Sequence, residues 1–292
     1  MVVIKITGGL GNQMFQYAFG RRLSLQWNVP LKLDMSELES GRLTTSRNYE
    51  LHHFNVVQDF VEASELKAVK LDLHGHIMNK LLIGIQEKVW RIKSSHFMEN
   101  GNVDSLLAGN SRPVYLDGYW QSEKYFKQYG DVIRREFTAK DEWDGHNKQI
   151  LNSILNADAV SIHIRRGDYV TNAVTNKFHG TCDIDYYQKA IALVEERMEA
   201  PFYYIFSDDL PWAKEHLVFS KGTAHFVDNN ADAAFMDIML MSKCKYNIIA
   251  NSTFSWWGAW LNNNPGKLVI APKKWFNHKD DSDIIPDTWM KI

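Results

Sequence analysis

The second half of the chain alternates short apolar runs with helix-like segments, and this alternation limits the possible folds more than any other feature. The apolar runs lie at residues 159–164, 202–206, 224–227, 246–250 and 268–270. Buried strands that alternate with helices are typical of a parallel sheet covered on both faces. The sequence therefore predicts an α/β fold, and ligands of such sheets bind at the carboxyl ends of the strands.

The first half predicts a shorter version of the same arrangement. Residues 2–7, 31–34 and 114–117 are predicted strands, and residues 12–27, 62–93, 131–137 and 147–155 are predicted helices. A polar break at residues 140–145 suggests a boundary near residues 140–156, and 292 residues suit about two domains. We therefore divide the chain into residues 1–150 and 151–292.

Charge and cysteine content exclude several classes of protein. The chain has 33 basic and 35 acidic side chains and a net charge of -2, so it has no overall positive field to attract nucleic acid. Its two cysteines, Cys182 and Cys244, are far apart and suggest neither a zinc site nor a disulfide framework. The apolar start is too short for a signal peptide or an anchor, so we expect a cytoplasmic protein with no transmembrane segment.

The strongest candidate for an anion site is His163-Ile164-Arg165-Arg166-Gly167-Asp168, at the end of the strand 159–164. Charges at the end of a buried strand are costly unless a partner meets them there. A guanidinium can hold phosphate oxygens with two parallel hydrogen bonds, and Asp168 can hold an arginine in position. The alternative is a solvated ion pair between Arg166 and Asp168, with His163 a core histidine.

Two other predicted strands end in polar residues. Asp208 and Asp209 follow the strand 202–206, where a carboxylate can bind a ribose or a base edge, or can cap the next helix. The strand 246–250 is followed by a polar segment at the start of a helix, which suits either an anion or ordinary capping. That segment comprises Asn251, Ser252, Thr253, Phe254 and Ser255.

A glycine-rich loop follows the first strand and comprises Gly8, Gly9, Leu10, Gly11, Asn12 and Gln13. It lacks the third glycine of a dinucleotide fingerprint and the Lys-Ser/Thr of a P-loop. Glycines still permit close approach of a ligand, and Asn12 and Gln13 would project polar amides. The alternative is a tight turn without a ligand.

Two further patterns favour structural roles. Asp183 and Asp185 match a D-x-D metal motif but directly precede a helix, so capping is the preferred interpretation. The tryptophans at 256, 257 and 260 recur at helical spacing and are expected to pack in the core. Tyr119, Trp120 and Trp275 are the better candidates for facing a sugar.

The glycine-rich segment 8–18, the His163–Tyr169 segment, the Tyr204–Asp209 segment and the Asn251–Ala259 segment together resemble glycosyltransferase family 11, the α-1,2-fucosyltransferases. Their order and spacing span nearly the whole chain, and the absence of an anchor resembles the bacterial members. The resemblance implies a GT-B-like fold, with two Rossmann-type lobes whose parallel sheets face a cleft. Residues 1–150 would form the acceptor-side lobe, and residues 151–292 would bind the donor, GDP-fucose.

The same resemblance implies the activity and the roles of residues. Members transfer L-fucose from GDP-β-L-fucose to the 2-hydroxyl of a galactoside, invert the anomeric centre and require no metal or other cofactor. Arg165 would hold the diphosphate, His163 and Arg166 would line the donor site, and Asp168 would fix the arginines. Asp208 would meet the guanosine, while the donor-side segment 251–255 would bind phosphate or base.

Several points stay open at the level of sequence. The proton acceptor for the attacking hydroxyl could be Asp168, a residue of the glycine-rich loop, or no side chain. The acceptor would be a galactose-terminated oligosaccharide, free or lipid-linked, in oligosaccharide, O-antigen or capsule synthesis; a lipid-linked one would place the enzyme peripherally at the inner membrane. The competing hypotheses are a non-catalytic nucleotide-sugar or glycan-binding module and a dinucleotide oxidoreductase.

Overall fold

The computed structural model of the chain describes residues 1–40, 47–70, 96–99, 113–167, 170, 177, 180–230, 232–277 and 283–292. The chain forms two compact units: the first contains Met1–His52 and Val56–Ile133, and the second contains His53–Asn55 and Arg134–Ile292. The functional assignment of residues 1–150 to the acceptor and 151–292 to the donor stays a prediction.

The first unit contains a parallel sheet in the order β2-β1-β4-β3. Its strands are β1 (Val2–Lys5), β2 (Leu31–Asp34), β3 (His96–Met98) and β4 (Val114–Asp117). Helix α1 (Leu10–Trp27) carries the chain from β1 to β2, and β4 then pairs with the opposite side of β1. The strand order therefore reverses between β1 and β4, which creates a crevice at the carboxyl ends of these two strands.

Short helices complete the first unit. They are α2 (Ser36–Glu39), α3 (Ala63–Val69) and α4 (Gly130–Glu136), which continues into the second unit, together with 3-10 turns at Leu51–His53, Glu123–Tyr125 and Lys127–Tyr129. The predicted helix 62–93 is observed at Ala63–Val69, and its part from residue 71 lies outside the described residues.

The second unit contains a larger parallel sheet in the order β10-β9-β8-β5-β6-β7. Its strands are β5 (Ala159–Ile164), β6 (Phe202–Ser207), β7 (Thr223–Val227), β8 (Tyr246–Ile248), β9 (Leu268–Ala271) and β10 (Met290–Lys291). Its helices are α5 (Gly145–Leu155), α6 (Ile184–Glu195), α7 (Leu210–His216), α8 (Ala234–Met241) and α9 (Thr253–Leu261). The strand order reverses between β5 and β8, and the carboxyl ends of these two strands are where such a sheet is expected to bind a ligand.

Helices cover both faces of the second sheet. Val160, Ile162 and Ile164 pack in one buried cluster with Tyr187 and other residues of α6. On the opposite face the Tyr204 hydroxyl donates to Ser153 Oγ of α5 at 2.7 Å. Burial of each such apolar side chain stabilises the fold by about 1.5–3 kcal/mol. The predicted α/β class with two parallel sheets is confirmed.

The tryptophans separate into correct and incorrect predictions. Trp256, Trp257 and Trp260 are at most 3% exposed, so the packing interpretation is confirmed. Trp120 and Trp275 are 0% and 1% exposed, and the prediction that they face a sugar was wrong. Trp120 has a φ of 55°, and its ring is turned inward and packs against Phe19, with 4.5 Å between the two ring centroids. Tyr119, its neighbour, is 44% exposed.

Across the described part of the chain, every helix is too short or too polar to cross a lipid bilayer.

Candidate active site

The predicted anion site lies where the second sheet reverses its strand order. Arg165 follows β5, Asp208 follows β6, and Ser252 follows β8. Pairing of Ile164 with Ser207 in adjacent strands places the next residues, Arg165 and Asp208, side by side. The carboxyl ends of three neighbouring strands therefore converge, as the parallel sheet requires.

Asp208 holds Arg165 and the loop that carries it. Arg165 Nη1 lies 2.8 Å from Asp208 Oδ2, and the backbone N–H of Arg166 donates to Asp208 Oδ1 at 2.8 Å. A Cβ atom on Gly167 would lie 2.5 Å from Asp208 Oδ2. Glycine at position 167 therefore gives the carboxylate room to bind both groups. Charge-assisted bonds of this kind fix the plane of a guanidinium.

Arg166 is engaged in a different direction from Arg165. Its Nε donates to Asp209 Oδ2 at 3.1 Å, and its guanidinium lies 4.1 Å from the centroid of the Trp212 ring. Asp209 also caps α7, because the Trp212 N–H donates to Asp209 Oδ1 at 3.2 Å. The predicted capping role of Asp209 is confirmed. Arg166 thus ties the loop after β5 to the start of α7, while Arg165 is held by Asp208.

His163 is a buried, neutral neighbour of Arg165. Burial and, to a smaller extent, the positive charge of Arg165 lower the pKa of its imidazole to about 3. Its Nδ1 atom has no hydrogen-bond partner among the described residues, and its ring lies 5.4 Å from that of Phe254. The neutral imidazole adds no charge to the site, and its Nδ1 atom can form a hydrogen bond.

The segment 251–255 divides into a helix start and structural anchors. Ser252 caps α9 by accepting from the Phe254 N–H at 3.3 Å, and the first turn of the helix contains no acidic residue. Ser252, Thr253 and Phe254 therefore surround the positive end of a helix dipole, where an anion is stabilised.

Asn251 and Ser255 are bonded to the protein itself. The Asn251 amide donates to the carbonyls of Trp275 at 3.2 Å and Gly180 at 3.4 Å. Ser255 is fully buried, and its hydroxyl donates to the Ser252 carbonyl at 3.3 Å. These two side chains position the segment, and their predicted contact with the donor stays a prediction.

The glycine-rich loop of the first unit forms a rigid turn into α1. Gly8 has φ 74°, a left-handed conformation that glycine adopts without strain, and a Cβ there would lie 2.8 Å from Asn12 Nδ2. Gly9 occupies the N-cap position of α1 and Gly11 is buried in its first turn. The Asn12 Oδ1 atom accepts from Gln121 Nε2 at 2.9 Å.

Gln13 is turned inward, against the prediction that its amide projects from the loop. It is fully buried, and its Nε2 donates to the carbonyls of Gly8 at 2.9 Å and Asn48 at 2.8 Å. Its Oε1 accepts from the Glu50 N–H at 2.9 Å. The physical reason is that the loop leaves backbone groups unpaired, and a buried amide satisfies them.

Two predicted acidic residues have different outcomes. Asp168, expected to hold the arginines or to accept a proton, lies outside the described residues. Asp183 caps α6, since the Tyr186 N–H donates to its Oδ1 at 2.8 Å, and the capping interpretation is confirmed. Within the described ranges, no three potential metal-ligating side chains come together.

The sequence reasoning missed a buried carboxyl group in α8. Burial raises the pKa of Asp237 to about 7, although a hydrogen bond from Asn230 opposes the shift. Asn230 Nδ2 donates to Asp237 Oδ1 at 2.7 Å and to Asn147 Oδ1 at 3.1 Å. The signal that could have found it is an acid within the apolar helix Ala234–Met241.

The chain is similar in sequence to several known glycosyltransferases. The chain is 35% identical to the O-antigen biosynthesis glycosyltransferase WbnK of Escherichia coli, covering 98% of this chain and 99% of that protein. It is 34% identical to an alpha-1,2-colitosyltransferase of Escherichia coli, covering 100% and 99%. Human galactoside alpha-(1,2)-fucosyltransferase 1 is 28% identical over 50% of this chain and 42% of the human protein.

Among solved structures, NodZ alpha-1,6-fucosyltransferase soaked with GDP-fucose superposes with a TM-score of 0.53 at 12% identity, covering 89% of this chain and 91% of that one. At this identity the likeness concerns the fold. Two units, each with a parallel sheet, are the architecture of the GT-B-like class of proteins. The glycosyl transferase family 11 model matches residues 1–292, and the chain belongs to that family.

Proposed function

We propose that the protein transfers L-fucose from GDP-β-L-fucose to the 2-hydroxyl of a terminal galactoside, with inversion and without a metal. The observation that carries the proposal is the position of Arg165, which Asp208 holds at the carboxyl end of β5, beside β8 and the start of α9. A diphosphate is the part of the donor that such a site suits. The human relative named a galactoside alpha-(1,2)-fucosyltransferase supports the sugar and the linkage.

The reaction requires that negative charge be stabilised on the leaving diphosphate. The acceptor oxygen forms a bond to C1 of the sugar while the bond from C1 to the phosphate oxygen breaks, and the sugar becomes oxocarbenium-like. Arg165 and the N–H groups at the start of α9 would bind the developing charge on the diphosphate. His163 would line the same site as a neutral imidazole and would add no charge to it.

The acceptor hydroxyl also loses a proton. The candidates are Asp168, a residue of the glycine-rich loop, or no side chain at all. Gln13 is unsuited to this role because a neutral amide is not basic enough to take a proton, and the side chain is held inward by three hydrogen bonds to the backbone. A panel of substitutions that includes Asp168→Asn, followed by the pH dependence of kcat, would distinguish the remaining candidates.

The direct test incubates the purified protein with GDP-fucose and a lactose-type acceptor in EDTA. We expect GDP release and a product with an α-1,2 linkage, as analysed by NMR. Binding of GDP-fucose without GDP release, over a panel of galactosides, would favour the non-catalytic binding module. Activity that appears only when a divalent metal is added would contradict the metal-independent mechanism.

A second donor is favoured by a specific observation, the 34% identity to an alpha-1,2-colitosyltransferase over the full chain. Colitose is L-fucose without its 3-hydroxyl, so competition between GDP-fucose and GDP-colitose separates the two activities. A site that hydrogen-bonds the 3-hydroxyl disfavours the deoxy sugar by about 10⁴-fold, whereas an apolar site there separates the two sugars by about 10- to 200-fold. We expect GDP-fucose to have the higher kcat/KM.

The same relatives support a proposal for the biological acceptor. WbnK is named for O-antigen biosynthesis, and we infer that a galactose-terminated, lipid-linked oligosaccharide is the natural acceptor of this chain too. The protein would then act in the cytoplasm, peripherally at the inner membrane. A comparison of free and lipid-linked acceptors with the same terminal galactose tests this part of the proposal.

A further inference from the structure

We propose that Tyr119 is the acceptor platform of this enzyme, an exposed ring on which the acceptor sugar lies at the carboxyl edge of the first sheet. The proposal rests on the proposed function, since it names the place where that function holds its acceptor. It assigns the binding of a neutral pyranose to a residue of the first unit.

The position of Tyr119 is the first argument. It lies two residues beyond the end of β4, and β4 neighbours β1 where the strand order of the first sheet reverses. Parallel sheets bind their ligands at such reversals. The glycine-rich loop after β1 lies at the same edge. Gln121 donates to Asn12 of this loop, and Gln16 of α1 donates to the Gly118 carbonyl, so both are joined to the residues on either side of Tyr119.

The backbone of Tyr119 is held so that the ring stays outside. Glu99 accepts from the N–H groups of Tyr119 at 2.9 Å and of Trp120 at 3.0 Å, one with each carboxylate oxygen. A Cβ on Gly118 would lie 2.6 Å from the Glu99 Cβ. Trp120, with φ 55°, adopts the left-handed conformation and turns its ring into the core. Such strain at a non-glycine residue is typical of functional sites.

Charged groups form a polar rim within electrostatic reach of the Tyr119 hydroxyl. Lys5 Nζ lies 3.0 Å from Asp117 Oδ1 and 3.5 Å from Glu37 Oε2. Partial burial raises the pKa of Tyr119, the charge of Lys5 lowers it, and the carboxylates of Glu37, Glu99 and Asp117 raise it.

An aromatic face beside mixed donors and acceptors matches the chemistry of a sugar. One face of a galactose ring presents C–H groups, which pack on an aromatic ring, and its edge presents hydroxyls, which both donate and accept. Lysine and carboxylate side chains supply both kinds of partner. A nucleotide diphosphate would be repelled by the carboxylates of this rim, so the neutral acceptor is the better fit.

The test compares Tyr119→Ala with Tyr119→Phe in steady-state kinetics of the full chain. We expect Tyr119→Ala to raise the KM for the galactoside by about 5- to 30-fold, the effect of exposing one aromatic contact. The KM for GDP-fucose and the slow release of GDP without acceptor should stay unchanged. Tyr119→Phe should keep most of the affinity, since the platform needs the ring.

Phe60→Ala is the matched control because Phe60 is an aromatic residue of the same unit with a similar exposure of 46%. It should leave the acceptor KM unchanged. Glu99→Ala should raise the acceptor KM with the Tyr119 ring intact, and Glu99→Gln, whose amide oxygen can still accept from one of the two N–H groups, should restore part of the affinity, as expected of a positioning residue.

The outcomes of this experiment separate the two proposals. An active wild-type enzyme whose acceptor KM changes less than twofold in Tyr119→Ala overturns the platform. An equal rise in Tyr119→Ala and Phe60→Ala overturns it as well, because a general loss of stability then explains both. Failure of the wild-type protein to release GDP with every acceptor overturns the proposed function instead.

Discussion

Replacement of Arg165 by alanine should remove most of the transferase activity while the second unit stays folded. The side chain is held by one carboxylate at 2.8 Å and is about a quarter exposed, so its loss removes a preorganised donor without emptying the core. Removal of one donor that stabilises developing negative charge costs about 2.7–4 kcal/mol, which lowers kcat by about 10²- to 10³-fold. The loss should reside in kcat/KM for GDP-fucose, with acceptor affinity unaffected.

The assay measures GDP release with saturating acceptor, and thermal unfolding checks the fold. Lys245→Ala is the matched control: Lys245 Nζ lies 2.6 Å from Asp158 Oδ1, and these two residues directly precede β8 and β5, at the amino ends of the strands. It removes one positive charge and one exposed ion pair, worth about 0–1 kcal/mol, and should leave kcat/KM unchanged. If Arg165→Ala retains more than about a tenth of kcat/KM, a loss under 1.4 kcal/mol, the role of the arginine is refuted.

Three further substitutions test the structure of the second unit. Gly167→Ala should lower kcat/KM about tenfold or more in the GDP-release assay, because its Cβ would lie 2.5 Å from the Asp208 carboxylate and displace it from charge-assisted bonds; an unchanged rate would contradict this. Asn247→Ala should cost at least about 2 kcal/mol in urea unfolding, since its buried amide donates to Ser161 Oγ at 2.7 Å and the Met241 carbonyl at 2.8 Å; a smaller loss would show that water replaces the amide. Asp237→Asn should gain stability relative to wild type as pH rises from about 4 to about 7, because the folded carboxyl, with its pKa raised by burial to about 7, keeps a proton that the unfolded chain releases; a difference in unfolding free energy that does not vary with pH would exclude the shift.

The sheets were predictable because buried parallel strands leave a local signal. The predicted strands 159–164 and 31–34 have the observed bounds, and the strand predicted at 202–206 ends one residue later. β3 and β10 contain three and two residues, too few for an apolar run to stand out. They form because a neighbouring strand offers backbone partners, and such pairing is not visible in a single segment.

The candidate site was predictable in its residues but not in its pairings. Arg165 stood out because a charge at the end of a buried strand needs a partner. The sequence suggested Asp168, which lies outside the described residues and stays a prediction. The structure adds a carboxylate that the sequence did not pair with Arg165, that of Asp208, which reaches it through the register between β5 and β6. The prediction that the Gln13 amide projects from the loop was wrong for a related reason. Its hydrogen bonds to the Asn48 carbonyl and the Glu50 N–H depend on a segment that is distant in the sequence.

The two units repeat one geometry but carry different side chains at the reversal of strand order, and under the proposed function this difference allows a nearly neutral chain to bind a charged donor. Each sheet reverses its strand order once and places a helix start at the reversal. In the second unit that edge carries Arg165 beside a helix whose first turn has no acid, which suits a diphosphate. In the first unit it carries Tyr119 within reach of lysine and carboxylates, which suits an uncharged sugar. If the proposed function is correct, local charge rather than net charge assigns each substrate to its unit, and reversal of the charge at one edge by Arg165→Glu should abolish donor binding and leave acceptor binding intact.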